Sequence, residues 1–179
     1  MRAYSAVNVM EEYLGQSGGF MSRLFHRLSK GLPVKLKIML PKRLYLKGEL
    51  ISETISEEIE GSFSQSDLVD LLTKELLYYY SLNSNPIKLY RTFKEISSSF
   101  IVTRYYSDSK DDLTSVSITL SKRDVFKLEM LLADIEEVEG EIDMTVESLL
   151  ELQYINYMSD LLHGNSEDTI QRIIDSYVS

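Results

Sequence analysis

The chain is expected to take an α+β fold: an antiparallel strands-then-helix unit, repeated in outline, with N-terminal and C-terminal helical extensions. Three observations carry this expectation. The apolar spacing switches between period 2 and period 3.6 along the chain. Ser or Thr stands where each long helical period begins, and Gly, Pro or Asn where it ends. Of 179 residues 44% are hydrophobic, enough to bury a core in one domain or two small ones. The boundaries read as a helical segment at 1–32, an α+β core with two strand-helix units at 33–138, and acidic helices at 139–179.

Residues 4–14 show a short amphipathic pattern that Gly15, Gly18 and Gly19 interrupt. In FMSRLFHRLSKGL, Phe20, Met21, Leu24, Phe25, Leu28 and Leu32 fall at helical spacing opposite Arg23, His26, Arg27 and Lys30. Residues 20–32 therefore read as a basic amphipathic helix, packed on the core or docked on an anionic partner. After Pro33 the period changes. Val34, Leu36, Ile38 and Leu40 alternate with Lys35, Lys37 and Met39, as a half-buried strand requires. Leu44, Leu46 and Leu50 alternate with Tyr45, Lys47 and Glu49, which suggests a second strand returning across Pro41-Lys42-Arg43. A further strand is expected at 57–63.

The run SQSDLVDLLTKELLYYYSLN is a helix that Ser64 or Ser66 can cap and residues 83–86 stop. IKLYRTFKEI and SFIVTRYYS read as strands, SDSKDD as a polar hairpin loop, and TSVSITL as a third strand. Ser121 caps the next helix, whose buried stripe is Val125, Leu128, Leu131, Leu132 and Ile135 and whose end is Gly140. Helices at 145–162 and 166–177 close the chain. Laying SFSQSDLVDLLTKELL over TLSKRDVFKLEMLLAD pairs Asp67 with Asp124, Val69 with Phe126 and Leu71 with Leu128, which suggests the repeat.

The absence of cysteine excludes disulfides, thiolate metal sites and cysteine nucleophiles, and nothing points to an oxidising compartment. Glu11 and Glu12 break any signal-peptide core, and no apolar run is long enough to span a bilayer, so a cytoplasmic location is expected. The net charge of −9 is unevenly spread. Residues 1–47 hold nine Lys and Arg against Glu11 and Glu12, a net of +7, while the other 132 residues hold ten basic and 26 acidic ones, a net of −16. One face can thus meet an anion while the rest stays solvated.

Catalytic and metal-binding patterns are lacking. His26 and His163 stand apart from any acidic cluster at ligand spacing, and Lys110 sits in the middle of Asp108-Ser109-Lys110-Asp111-Asp112. No phosphate loop, HExxH or GxSxG is present. A binding protein rather than an enzyme is therefore expected, with no cofactor and no metal.

Single strands bind where cations track phosphates and aromatic rings offer stacking platforms. Lys35, Lys37, Lys42, Arg43, Tyr45 and Lys47 interleave in this way on the first expected hairpin. Lys88, Tyr90, Arg91, Phe93, Lys94, Arg104, Tyr105 and Tyr106 do so on the later strands. Single-stranded DNA or RNA is the expected partner on that basic and aromatic sheet face, in an accessory role in transcription or replication.

TSVSITLSKRDVFKLEMLLADIEEV, preceded by SFIVTRYYSDSKDDL, resembles the single-stranded-DNA-binding family of the positive-cofactor transcriptional coactivators and the plant Whirly proteins, over residues 87–138. The resemblance implies a curved sheet braced by helices, with nucleic acid crossing the exposed face. VKLKIML and TSVSITL, each followed by helical patterns, also resemble the ribbon-helix-helix DNA-binding proteins in tandem. That likeness implies a duplex-binding regulator whose strand pair enters the major groove, with Lys35, Lys37, Ser115, Ser117 and Thr119 facing bases. A third reading is an acidic adaptor or assembly subunit. Leu149, Leu150, Leu152, Tyr154, Ile155, Met158, Leu161 and Leu162 leave little of the 145–162 helix polar, so it is buried in the core or against a protein partner or second copy.

Overall fold

The computed structural model describes residues 3–15, 32–83, 85–98, 112–163, 170–171, 173–175 and 177. The elements run α1 (Val9–Gly15), β1 (Pro33–Pro41), α2 (Lys42–Glu58), α3 (Gln65–Asn83), α4 (Pro86–Ser98), β2 (Leu113–Ser121), α5 (Lys122–Glu139) and α6 (Val146–His163). The α+β class with helical extensions holds. The expected helix at 20–32, the strand SFIVTRYYS and its hairpin loop lie outside the described residues, as does part of 166–177, where 170–171, 173–175 and 177 are helical.

The two alternating segments pair with each other. β1 and β2 form a two-stranded antiparallel ribbon in which Lys37 stands opposite Ser117, with four further pairs on either side out to Pro33–Ser121 and Pro41–Leu113. Leu36, Ile38, Leu40, Val116, Ile118 and Leu120 are all buried on one face, the core side of the pleat. Backbone bonds bracket the ribbon symmetrically: Lys42 N–H donates to the Asp112 carbonyl at 2.8 Å, and Lys122 N–H to the Leu32 carbonyl at 3.0 Å.

Each strand leads straight into a helix and then a second one, so β1-α2-α3 and β2-α5-α6 are two copies of one unit about an approximate twofold axis through the Lys37–Ser117 pair. The second helices cross over: α3 packs on β2 and α6 on β1. Both open with the same reciprocal cap. Ser64 Oγ accepts from Asp67 N–H while Asp67 accepts from Ser64 N–H, and Thr145 and Ser148 do likewise. The equivalence corrects the expected repeat, because Asp67 lies in a second helix and Asp124 in a first one.

Three expected strands give way. The residues of the supposed return strand, with Tyr45 and Lys47, are helical in α2, whose buried face is Leu44, Gly48, Ser52 and Ile55 at spacings of three and four. Leu46 and Leu50, which made the alternation, are 54% and 63% exposed. The strand expected at 57–63 is the end of α2 and the turn after it. IKLYRTFKEI is helical in α4, burying Leu89, Tyr90 and Phe93. Asn85, read only as the stop of the preceding helix, starts this one: its Oδ1 accepts from Lys88 N–H at 3.1 Å, and Pro86 takes the first helical position. The curved sheet implied by the coactivator likeness is therefore not formed by this segment, which packs as a helix on α5 and α6.

Helix α6 is not a separate surface. Leu149, Leu150, Tyr154, Ile155 and Met158 of α6 are buried in the same core as the ribbon. Tyr154 donates to Gln65 Oε1 at 2.8 Å, and Gln65 donates to Glu49 at 2.6 Å and to the Tyr45 carbonyl at 2.8 Å. Gly48 makes room for this phenol, since a Cβ there would lie 1.9 Å from its oxygen. In an open helix Gly→Ala stabilises by roughly 1 kcal/mol. Here overpacking dominates, so Gly48→Ala is expected to lower stability by about 1–3 kcal/mol in urea unfolding. In a Tyr154→Phe background the same change is expected to be much milder, a non-additivity that separates the clash from a backbone effect.

Alkaline stability tests another contact. Tyr80 donates to Asp134 at 2.7 Å. Burial first, then that carboxylate, push its phenol from the ordinary 10.0 up to about 12. The folded chain prefers the neutral phenol, so this contribution is whole below pH 10 and is lost as pH rises toward about 12. The unfolding free energy of Tyr80→Phe should fall less steeply than wild type across that window.

Candidate nucleic-acid interface

The solvent face of the ribbon is built by the same alternation that builds the core. Lys35, Lys37 and Met39 from β1 and Ser115, Ser117 and Thr119 from β2 are all exposed, because they alternate with the inward residues Leu36, Ile38, Leu40, Val116, Ile118 and Leu120, all apolar and buried. The register sets them in three cross-strand rows: Lys35 beside Thr119, Lys37 beside Ser117, and Met39 beside Ser115. Each outer edge is closed by the opposite half. Ser66 Oγ of α3 accepts from Thr119 N–H at 2.9 Å, and Glu151 of α6 accepts from Met39 N–H at 2.6 Å. Such edge bonds stop further strands adding and leave the ribbon as a narrow two-stranded surface.

Cations gather at the strand ends. Lys42 and Arg43 open α2 directly after β1, and Lys122 and Arg123 open α5 directly after β2. Among the described residues Lys35, Lys37, Lys42, Arg43 and Arg123 have no carboxylate partner, whereas Lys122 meets Glu12 at 2.6 Å and Lys127 meets Asp124 at 3.5 Å. The surface therefore offers ammonium and guanidinium donors, hydroxyls that can donate or accept, and one thioether.

The expected site residues fall into separate groups. Lys35 and Lys37 lie on the ribbon and Lys42 and Arg43 at its end. Lys47 is half-buried on α2, as is Tyr45, whose phenol is pushed up by burial and then by Glu49 beside it. Lys88, Tyr90, Arg91 and Lys94 do not join them, since they lie on α4, which packs on α5 and α6. Tyr90 is 5% exposed with Lys94 Nζ 4.8 Å from its ring centroid, and Arg91 reaches Glu139 at 3.7 Å, so these residues form no stacking platform. Arg104 and Tyr105 lie outside the described residues.

Arg123 was missed as a surface member, and Met39, read on the outer side of its strand, was not counted in the site. The signal was present, because an offset of 80 residues superposes Ile38, Leu40, Lys42, Arg43, Lys47, Glu49 and Ile55 on Ile118, Leu120, Lys122, Arg123, Lys127, Glu129 and Ile135. That offset marks both strands as one kind of element and Arg123 as the counterpart of Arg43. Among the described residues no helix is long and apolar enough to cross a membrane. No known family model matches this chain, and no curated protein or solved structure matches it.

Proposed function

We propose that this chain is a non-catalytic, duplex-DNA-binding regulator that lays the β1–β2 ribbon in the major groove. One observation carries the reading: among the described residues two nine-residue strands pair into a two-stranded ribbon whose central outward side chains, three exposed on each strand, are all polar, cationic or thioether. A B-DNA major groove, about 12 Å wide, admits a two-stranded ribbon and presents donors, acceptors and thymine methyls to such side chains. The likeness of VKLKIML and TSVSITL to tandem ribbon-helix-helix proteins supports it, since each strand here is followed by two helices and pairs with the other. Single-strand binding is less well supported, since Tyr90 lies inside the core and offers no stacking platform. The adaptor reading loses the apolar surplus of α6, which is spent within the chain.

Fluorescence anisotropy with labelled duplex and single-stranded oligonucleotides across a salt series tests this. Duplex should bind more tightly, and the logarithm of affinity should fall with the logarithm of salt at about −0.9 per phosphate neutralised. Tighter binding of single strands, or no duplex binding at low salt, would overturn it.

A further inference from the structure

We infer that the duplex site read by this ribbon is non-palindromic, with guanine acceptors under the Lys35 end and centre and A·T pairs under the Met39 end. The inference rests on the duplex reading above. A ribbon made by two identical subunits presents the same side chains on both strands and so selects an inverted repeat. Here both strands belong to one chain, and the twofold that relates their backbones does not relate their outer residues: Lys35 corresponds to Ser115, Lys37 to Ser117 and Met39 to Thr119.

Chemistry then differs along the ribbon. The Lys35–Thr119 and Lys37–Ser117 rows each carry an ammonium group, which only donates and suits guanine O6 and N7. The Met39–Ser115 row carries no charge; Met39, 38% exposed, offers apolar contact to a thymine methyl, and Ser115 a hydroxyl that serves either base. The flanks differ too, in the opposite sense, because β1 runs out at the Met39 end and β2 at the Lys35 end. Lys42 and Arg43 after β1 have no carboxylate partner among the described residues, whereas Lys122 after β2 is paired with Glu12. Beside β1, α6 also begins blocked: Val146 N–H donates to the Tyr4 carbonyl at 2.7 Å, and Glu147 accepts from Ala6 N–H at 2.8 Å.

The test is selection of the full chain against a randomised duplex pool, followed by binding to defined sites. Wild type should enrich a motif with guanines on one side only, and inverting one half of a defined site should weaken binding roughly tenfold per changed base pair. The variant Ser115→Lys/Ser117→Lys/Thr119→Met makes the outer face symmetric at three exposed positions, and it should enrich an inverted repeat of the guanine half. Lys35→Ser/Lys37→Ser should lose the guanine side, with circular dichroism confirming that both variants stay folded. An inverted repeat selected by wild type, or a wild-type motif retained by the symmetric variant, would overturn the inference. Duplex binding with no enriched sequence overturns it and leaves the duplex reading standing, while no duplex binding overturns both.

Discussion

Replacing Lys35 and Lys37 with glutamate is expected to lower duplex affinity at least about a hundredfold while leaving the melting temperature nearly unchanged. Both side chains are exposed on the outer ribbon face and have no carboxylate partner among the described residues, so reversal disturbs neither core nor ion pair. Each good base contact is worth about 1–3 kcal/mol of discrimination, and two contacts at about 1.4 kcal/mol each, inside that range, reach that fold-change. Reversal also places two carboxylates against phosphates, so the dependence of affinity on salt should flatten. Changing Lys88 and Lys94 to glutamate gives the control. They sit on α4, away from the ribbon, and the same charge change there should alter affinity little. Equal losses from both pairs would show that net charge, rather than the ribbon, governs binding.

Glu129→Ala is expected to destabilise the chain by about 3–5 kcal/mol, at roughly 1–3 kcal/mol for each donor left without a partner. Glu129 is wholly buried on α5, and its carboxylate accepts from Val9 N–H at 2.9 Å, from Met10 N–H and from the Ser5 hydroxyl. The first two are free donors at the start of α1, where a carboxylate is favourable. The bond from Ser5 extends this grip to the segment that carries Tyr4, whose carbonyl accepts from Val146 at the start of α6. The loss should therefore be felt at both places. Hydrogen exchange should speed up at Val9, Met10 and Val146 before it does in β1 and β2. Glu129→Gln keeps the shape and one acceptor oxygen, and should fall between wild type and alanine in a denaturant melt. An alanine variant as stable as wild type would mean that water satisfies those donors.

Much of the secondary structure is legible where a pattern is local. β1 and β2 announce themselves through alternation. α3, α5 and α6 do so through helical spacing with Ser64, Ser121 and Thr145 as caps; Ser121 Oγ accepts from Asp124 N–H at 3.1 Å. α2 escaped because half of its buried face is Gly48 and Ser52, small residues that an apolar count passes over. α4 escaped because its buried aromatic residues also favour strands, and propensity yields to packing. In the candidate site Lys35, Lys37, Lys42 and Arg43 were found by charge, whereas Tyr90 misled because an aromatic between cations looks the same in a core helix as on a binding face.

The sequence by itself determined which side of each strand is wet, since period 2 assigns alternate residues to opposite faces wherever the strand goes. It also determined the charge asymmetry and the excluded cysteine chemistry. Only the tertiary structure decided that β1 pairs with β2, eighty positions along the chain, rather than with the residues next to it. Alternation specifies a face and not a partner. The partner is chosen by where α2, α3, α5 and α6 can bury their apolar sides together, and that choice brings Lys35, Lys37 and Met39 beside Ser115, Ser117 and Thr119 on one surface.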